Sequence, residues 1–447
     1  NLEGAEFEVY AAEDIYTADF QKDDNGNRIL EYAAGTLVKT VTTDKEGKAV
    51  IKNLPLGSYK VVETTAPEGF VLNSEAQTIT FSYKDQETPV IEQTATFENE
   101  RQKVEIAVVK QDADNEAPVA GAEFGLYAKN DIEAHGTVIV KADSLLGKAV
   151  SDENGKAVFS QDLPFGEYYI KEQKAPKGYV SSDEVIEVKA EYQGQEVKVV
   201  QVASVFKNQP TKIEVSKSDL TTGIELSGAT LTVLDKDGNV VDTWKSVKGE
   251  KHLIERLTVG ETYTLREEQA PDGYLVAEEV SFEVKDTGEI QKVEMKDDVP
   301  TGTILINKNG EFLDKVTPLD SVGGWISHLF QYVTGNLKDV TFEVYALEDV
   351  KAADGESEDY YKKDELVATI TADDTGVAKV SGLPLGKYYV KEKATVDGFV
   401  LDDKAREIDL TYRDQDTAEV TYSADWQNNR QKAEVKVVKK EKDSDRV

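Results

Sequence analysis

The sequence predicts an all-β chain of four antiparallel β-sandwiches in tandem, and three observations lead there. Short runs alternate apolar with polar residues and are rich in Val, Ile, Thr, Tyr and Phe, as half-buried strands are. Turn clusters such as "DKEGK" (44–48), "DENGK" (152–156) and "DKDGN" (235–239) separate them, and stretches with helical spacing are few. One motif also returns four times: "YKVVETTAPEGF" (59–70), "YYIKEQKAPKGY" (168–179), "YTLREEQAPDGY" (263–274) and, more loosely, "YYVKEKATVDGF" (388–399). Each copy reads as a strand running into a turn, and each keeps a glutamate six residues before the turn glycine: Glu63, Glu172, Glu267 and Glu392.

Other landmarks recur in fixed order around that motif. A Lys-bearing strand opens the unit: "VEIAVVK" (104–110), "KIEVSK" (212–217) and "TILINK" (303–308). Next comes "GAEFEVY" (4–10), "GAEFGLY" (121–127), "GATLTVL" (228–234) or "DVTFEVY" (339–345). The turns "LPLG" (54–57), "LPFG" (163–166), "LTVG" (257–260) and "LPLG" (383–386) lead into the Glu motif. "TATFENERQK" (94–103), "ASVFKNQP" (203–210), "VEMKDDVP" (293–300) and "SADWQNNRQK" (423–432) close it. Repeats this long are domains, not solenoid turns.

The modules are placed at 1–102, 103–210, 211–300 and 301–431, with 432–447 as the opening strand of a following module. Nearly absent linkers predict an elongated, semi-rigid rod. Module 1 starts at its second landmark, and the tail "AEVKVVKKEKDSDRV" (433–447) is an opening strand without a module. The simplest explanation is a segment cut out of frame from a longer array. The rarer one is strand donation between chains, with 433–440 completing module 1 of a neighbour. Module 4 carries an insertion (310–339). Within it, Trp325, Ile326, Leu329, Phe330 and Val333 stand at helical spacing, which predicts a helix capping the sandwich in preference to a ligand or partner site. The Tyr- and acid-rich excursions 13–34 and 348–366 read as surface loops.

At 447 residues, with 39% hydrophobic and 31% charged, the chain can build three or four cores. A net charge of −34 argues against nucleic acid and anionic membrane surfaces as partners. No apolar run is long enough to span a bilayer. With no cysteine, disulfides, thiolate metal sites and Cys nucleophiles are excluded. His135, His252 and His328 fall in different modules, so neither a zinc site nor a His-based hydrolase is expected. "DKDGN" lacks the spaced Glu of a calcium loop and reads as a hairpin turn. No metal, phosphate loop or cofactor is expected.

The Glu motif resembles the E-box of Gram-positive surface proteins. The whole unit is similar to the B-type repeat of collagen adhesins, also found in sortase-assembled pilins, and the resemblance covers essentially the full chain. It implies Ig-like or prealbumin-like Greek-key sandwiches. It also implies a spontaneous isopeptide bond between a Lys of the first strand and an Asn or Asp of the last, assisted by the Glu. Carried over, the sets are Lys110–Glu172–Asn208, Lys217–Glu267–Asp297 and Lys308–Glu392–Asn428. Asp297 is preferred to Asp298 by alignment alone. Module 1 supplies Glu63 and Asn99 but no Lys; Lys439 of the tail aligns with Lys110.

Physical chemistry supports such a site. Burial disfavours the charged forms, lowering a Lys pKa and raising that of Glu. A protonated Glu can polarise the amide carbonyl and shuttle protons as ammonia, or water from an Asp, departs. Folding supplies the effective concentration. The expected function is a stalk segment of a cell-wall-anchored, secreted surface adhesin or pilus-like protein, performing no turnover beyond single-event self-crosslinking. The expected partners are neighbouring modules and a host extracellular-matrix or cell-surface ligand, with no membrane insertion. No Val-Tyr-Pro-Lys pilin motif is present. The alternative is direct binding of a host ligand, with the module 4 insertion as candidate site.

Overall fold

The computed structural model describes residues 2–17, 21–134, 136–322, 325–440 and 442, and for 320–322, 325 and 326 the backbone alone. The described residues form strands and turns, with no α-helix. The chain divides into two compact units, Asn1–Pro210 with Asp286–Gly288 and Thr211–Lys285 with Glu289–Val447.

Module 2 shows the common plan. One sheet orders Leu145–Val150, Glu123–Ala128, Gly166–Lys174 and Val185–Ala190. The second orders Lys156–Phe159, the opening strand Lys103–Asp112 and the closing strand Val199–Asn208. Inward positions alternate, so Ile106, Val108, Phe124, Ile170 and Phe206 fill one core between the sheets. Opening and closing strands run parallel, with Lys110 opposite Phe206. An all-antiparallel sandwich is therefore not what forms. A whole module connects the two strands, long enough to serve as a parallel crossover.

Modules 3 and 4 repeat this arrangement. Lys212–Asp219 lies parallel to Gln291–Asp297, and Thr301–Val322 lies parallel to Glu419–Asn428. The "LPxG" turns have a local cause, since Tyr59, Tyr168 and Tyr388 each donate their hydroxyl to the carbonyl of the Pro four residues earlier. Burial pushes the Tyr59 and Tyr168 hydroxyls up to about 12, so they stay protonated donors.

Module 1 has the four-stranded sheet Leu37–Thr42, Glu6–Ala11, Gly57–Thr65, Gln77–Phe81. A two-stranded sheet of Ile15–Tyr16 with Leu30–Tyr32 accompanies it, and its buried apolar cluster is Val9, Ala11, Ile15 and Tyr59.

The helix expected from Trp325 through Val333 is not formed. Thr301–Val322 and Trp325–Asn336 make a long antiparallel ribbon, pairing Phe312 with Val333, Val316 with Phe330 and Thr317 with Leu329. The helical spacing was misleading because "EFLDKVTPL" (311–319) offers a complementary β-rich partner. Cross-strand pairs of aromatic and β-branched residues then favour the ribbon. The excursions of modules 1 and 4 are not simple surface loops: among their described residues Ile15 and Val350 are buried in the cores of their modules, and short pairings join Ile15–Tyr16 with Leu30–Tyr32 and Val350 with Tyr361.

Candidate crosslinking sites

Each complete site takes one residue from each of three strands in two facing sheets. In module 2, Lys110 stands near the end of the opening strand, fully buried, its Nζ donating to Asn208 Oδ1 and 3.4 Å from Glu172 Oε1. Asn208 Nδ2 donates to Glu172 Oε2 at 2.7 Å and to the Val180 carbonyl at 2.8 Å. The Lys110 ammonium also lies 4.8 Å from the centre of the Phe206 ring. Burial drives its pKa down, with the nearby Glu172 opposing.

Module 4 is built alike. Lys308 Nζ donates to Glu392 Oε2 at 2.9 Å and to Asn428 Oδ1, while Asn428 Nδ2 donates to Glu392 Oε1 at 2.5 Å and Thr395 Oγ1 at 2.9 Å. Phe342 and Trp426, 5.1 Å apart, wall the site. Burial lowers the Lys308 pKa, against the pull of Glu392.

In module 3, Lys217 Nζ contacts Asp297 Oδ1 and sits 2.9 Å from Glu267 Oε1. Asp297 is buried whereas Asp298 is exposed and accepts the Val299 N–H, so the strand's alternation points Asp297 inward. Burial pushes the Asp297 carboxyl up to about 7, opposed by Lys217.

Module 1 brings together only half a site. Asn99 Nδ2 donates to Glu63 Oε2 at 2.7 Å and to the Val71 carbonyl at 3.0 Å, and among the described residues no lysine pairs with Glu63. Lys439 is exposed.

The sequence reading missed a second layer. Two residues past the lysine, Asp112 and Asp219 are buried and accept the hydroxyls of Tyr179 and Tyr274 at 2.9 and 2.8 Å. These are the final tyrosines of "APKGY" and "APDGY". Module 4 has Gly310 and Phe399 at the same two places, and the Phe399 ring fills the space a Cβ on residue 310 would need. This pairing of Asp with Tyr and Gly with Phe within one chain was the available signal.

Other candidates resolve as structure. His252 bonds Asp242 at 2.8 Å and stacks on Trp244, and His328 lies on the ribbon. His135 lies outside the described residues. Asp235 accepts the backbone N–H groups of Asp237 and Asn239, making "DKDGN" a turn. Among the described residues no cluster suited to a metal ion is found, and no helix is long and apolar enough to cross a membrane.

A family model described as SpaA, prealbumin-like fold domain, matches residues 1–96, 104–203, 211–299 and 331–442. The chain belongs to this family. It carries four prealbumin-like domains, and most of the module 4 ribbon lies outside the matched residues. A search of curated proteins gave no match. Among solved structures, the Bacillus anthracis TIE protein is similar at 19% identity, over 96% of this chain and 70% of that one, with a TM-score of 0.45. BcpA, the major pilin subunit of Bacillus cereus, is similar at 18% over 74% and 100%, TM-score 0.36. The shaft pilin SpaA of Lactobacillus rhamnosus GG follows at 15% over 44% and 97%, TM-score 0.23.

Proposed function

We propose that this chain is a load-bearing stalk segment of a Gram-positive cell-surface protein, whose prealbumin-like domains 2, 3 and 4 each lock themselves with one isopeptide bond. The observation that carries the reading is the recurrence of one buried arrangement. Three times a lysine amine rests against the carboxamide or carboxyl of the last strand, beside a buried glutamate. The surface location rests on the resemblance of the E-box pattern.

The neutral amine attacks Cγ of Asn208 or Asn428, and the Cγ–Nδ2 bond breaks as the amide forms. The glutamic acid hydrogen-bonds the side chain, takes a proton from the amine and returns one to the leaving nitrogen, so ammonia departs. In module 3 the Asp297 hydroxyl leaves as water, which requires a neutral carboxyl. Burial supplies that neutrality below about pH 7. Each site reacts once, so the chain is not a turnover enzyme.

The intact mass of the denatured chain tests this directly. The expected deficit is two ammonias and one water, and Glu172→Ala, Glu267→Ala and Glu392→Ala should each restore one. A mass equal to that of the sequence would reduce the three sites to buried polar clusters.

One observation favours a second reading, in which module 4 binds a host ligand. Its ribbon exposes Leu313, Val316, Leu319, Leu329, Phe330 and Val333. Replacing Leu329 and Phe330 by Ser should then abolish retention on host matrix proteins; unchanged retention would remove this reading.

A further inference from the structure

In modules 1 and 3 the turn that steadies the buried glutamate is tied at both ends by one glutamine of the following domain. In module 3 the turn Ala270–Val276 follows the strand that carries Glu267, and the next N–H, that of Ala277, donates to Glu267 Oε2 at 2.7 Å. That bond leaves Oε1 facing Lys217 Nζ at 2.9 Å. The backbone of the turn thus aims the carboxyl, and a shift of the turn would draw the acid off the lysine.

Two backbone donors of this turn are spent outside module 3. The Ala270 N–H donates to Gln415 Oε1 at 3.0 Å, and the Val276 N–H donates to the Gln415 carbonyl at 3.1 Å. Between them, the Tyr274 carbonyl accepts the Tyr412 hydroxyl at 3.1 Å. Gln415 and Tyr412 belong to module 4, in the loop that joins Arg406–Leu410 to Glu419–Asn428. Ala270 and Tyr274 are buried, so the joint is packed as well as hydrogen-bonded.

The first unit repeats the arrangement independently. Gln195 of module 2 lies in the loop that joins Val185–Ala190 to Val199–Asn208. Its Oε1 accepts the Ala66 N–H at 2.8 Å, its Nε2 donates to the Thr64 carbonyl at 3.1 Å, and its own carbonyl accepts the Leu72 N–H at 2.9 Å. The next residue, Asn73, donates its N–H to Glu63 Oε2 at 2.9 Å. Each glutamine closes a Tyr-x-x-Gln stretch, "YQGQ" (192–195) and "YRDQ" (412–415). The two stretches differ between those end residues yet make the same clamp, on the same two positions of the turn.

We propose that Gln415, with Tyr412, is a positioning residue for the module 3 crosslink. By clamping Ala270–Val276 it holds the Glu267 carboxyl against Lys217, so module 3 reacts at full speed only once module 4 is folded and docked on it. This rests on the crosslinking chemistry proposed above: Lys217 Nζ attacks Asp297 Cγ, a Cγ–O bond breaks, and Glu267 carries the proton from the amine to the departing water. Such a transfer needs the acid within hydrogen-bond reach of the amine, and orientation of this kind is what the clamp supplies. The coupling is reciprocal. Docking favours the reactive arrangement of the turn, and that arrangement, once fixed by the amide, favours docking.

The full chain is made in a short synthesis pulse, sampled into denaturant over time and digested. Mass spectrometry then follows the peptide carrying Lys217 as it becomes joined to the one carrying Asp297. The Lys308–Asn428 pair, in the domain that bears Gln415, serves as an internal clock for the folding of module 4. Gln415→Ala with Tyr412→Phe should slow the module 3 water loss about tenfold, the effect of the hydrogen bonds removed, and leave the module 4 ammonia loss at its original rate. Gln415→Glu alone keeps the accepting oxygen and should restore most of the module 3 rate. An unchanged module 3 rate in the double variant would overturn the proposal, as would a Gln415→Glu chain as slow as that variant. Equal slowing of both modules would overturn it too, by reducing Gln415 to a support for the fold of module 4. None of these results touches the stalk reading, which fails separately if the unaltered chain yields no joined peptides.

Discussion

Loss of one proposed bond should change how far a domain stretches, and by an amount the sequence separations set. Tension on module 4 enters through its opening strand and leaves through the closing strand, which lies parallel to it. If Lys308 and Asn428 are joined, force passes from one strand to the other through the amide, and the 120-residue separation between them carries none. In Glu392→Ala the bond cannot form, and those residues become extensible. At about 3.5 Å per residue they add about 420 Å of contour length, less the folded end-to-end distance. The same arithmetic for module 2, with a separation of 98 residues, gives about 340 Å in Glu172→Ala. Single-molecule pulling of the full chain reads these lengths, after mass spectrometry has confirmed that the variant retained its ammonia. The unmodified chain should show no long steps from modules 2, 3 or 4. Two results would refute the reasoning: steps of several hundred ångströms from each of these modules in the unmodified chain, or a variant that lost its bond yet gained no length.

Further expectations test the sites one by one. Asp297→Asn should convert the module 3 loss from water to ammonia, read in the intact mass. The raised Asp297 carboxyl has a stability consequence in a chain where module 3 is unlinked, such as Glu267→Gln. Because the folded state holds a proton the unfolded state has released, stability is fully present below the ordinary Asp value near 3.8 and is lost as pH rises through about 7. The denaturation midpoint of module 3 should therefore fall between about pH 4 and pH 8, and adding Asp297→Asn should flatten the slope. Tyr274→Phe withdraws a hydroxyl from buried Asp219 and should cost about 1–3 kcal/mol in chemical denaturation while leaving the module 3 water loss intact. Gly310→Ala should destabilise module 4 by about 1–3 kcal/mol, since its Cβ would meet the Phe399 ring.

The strands and the residue sets of the candidate sites were legible in the sequence for different reasons. Alternation and turn residues are local, so the strand runs could be read directly. Lys110, Glu172 and Asn208 lie far apart, and only the repetition of their positions in Lys217, Glu267 and Asp297 and again in Lys308, Glu392 and Asn428 made them a set. Where repetition failed, so did the reading. The 310–339 insertion occurs once, and five apolar residues at helical spacing could not reveal that "EFLDKVTPL" would pair with them. The Tyr179–Asp112 and Tyr274–Asp219 pairs were missed because module 4 substitutes both members, and a motif judged by identity hides a compensated exchange. The parallel pairing was also out of reach, since period-2 alternation is the same for either direction.

That parallel pairing bears on when the bonds can form. In each complete site the lysine and its acceptor come from neighbouring strands of one sheet, while the glutamate comes from the facing sheet. The desolvation that lowers the Lys110 and Lys308 pKa values and raises that of Asp297 exists only when the two sheets have closed over the core. A partly folded module has the residues but not the dry interior, and its lysine stays a solvated, non-nucleophilic ammonium. The proposed covalent locking would thereby be confined to correctly packed sandwiches.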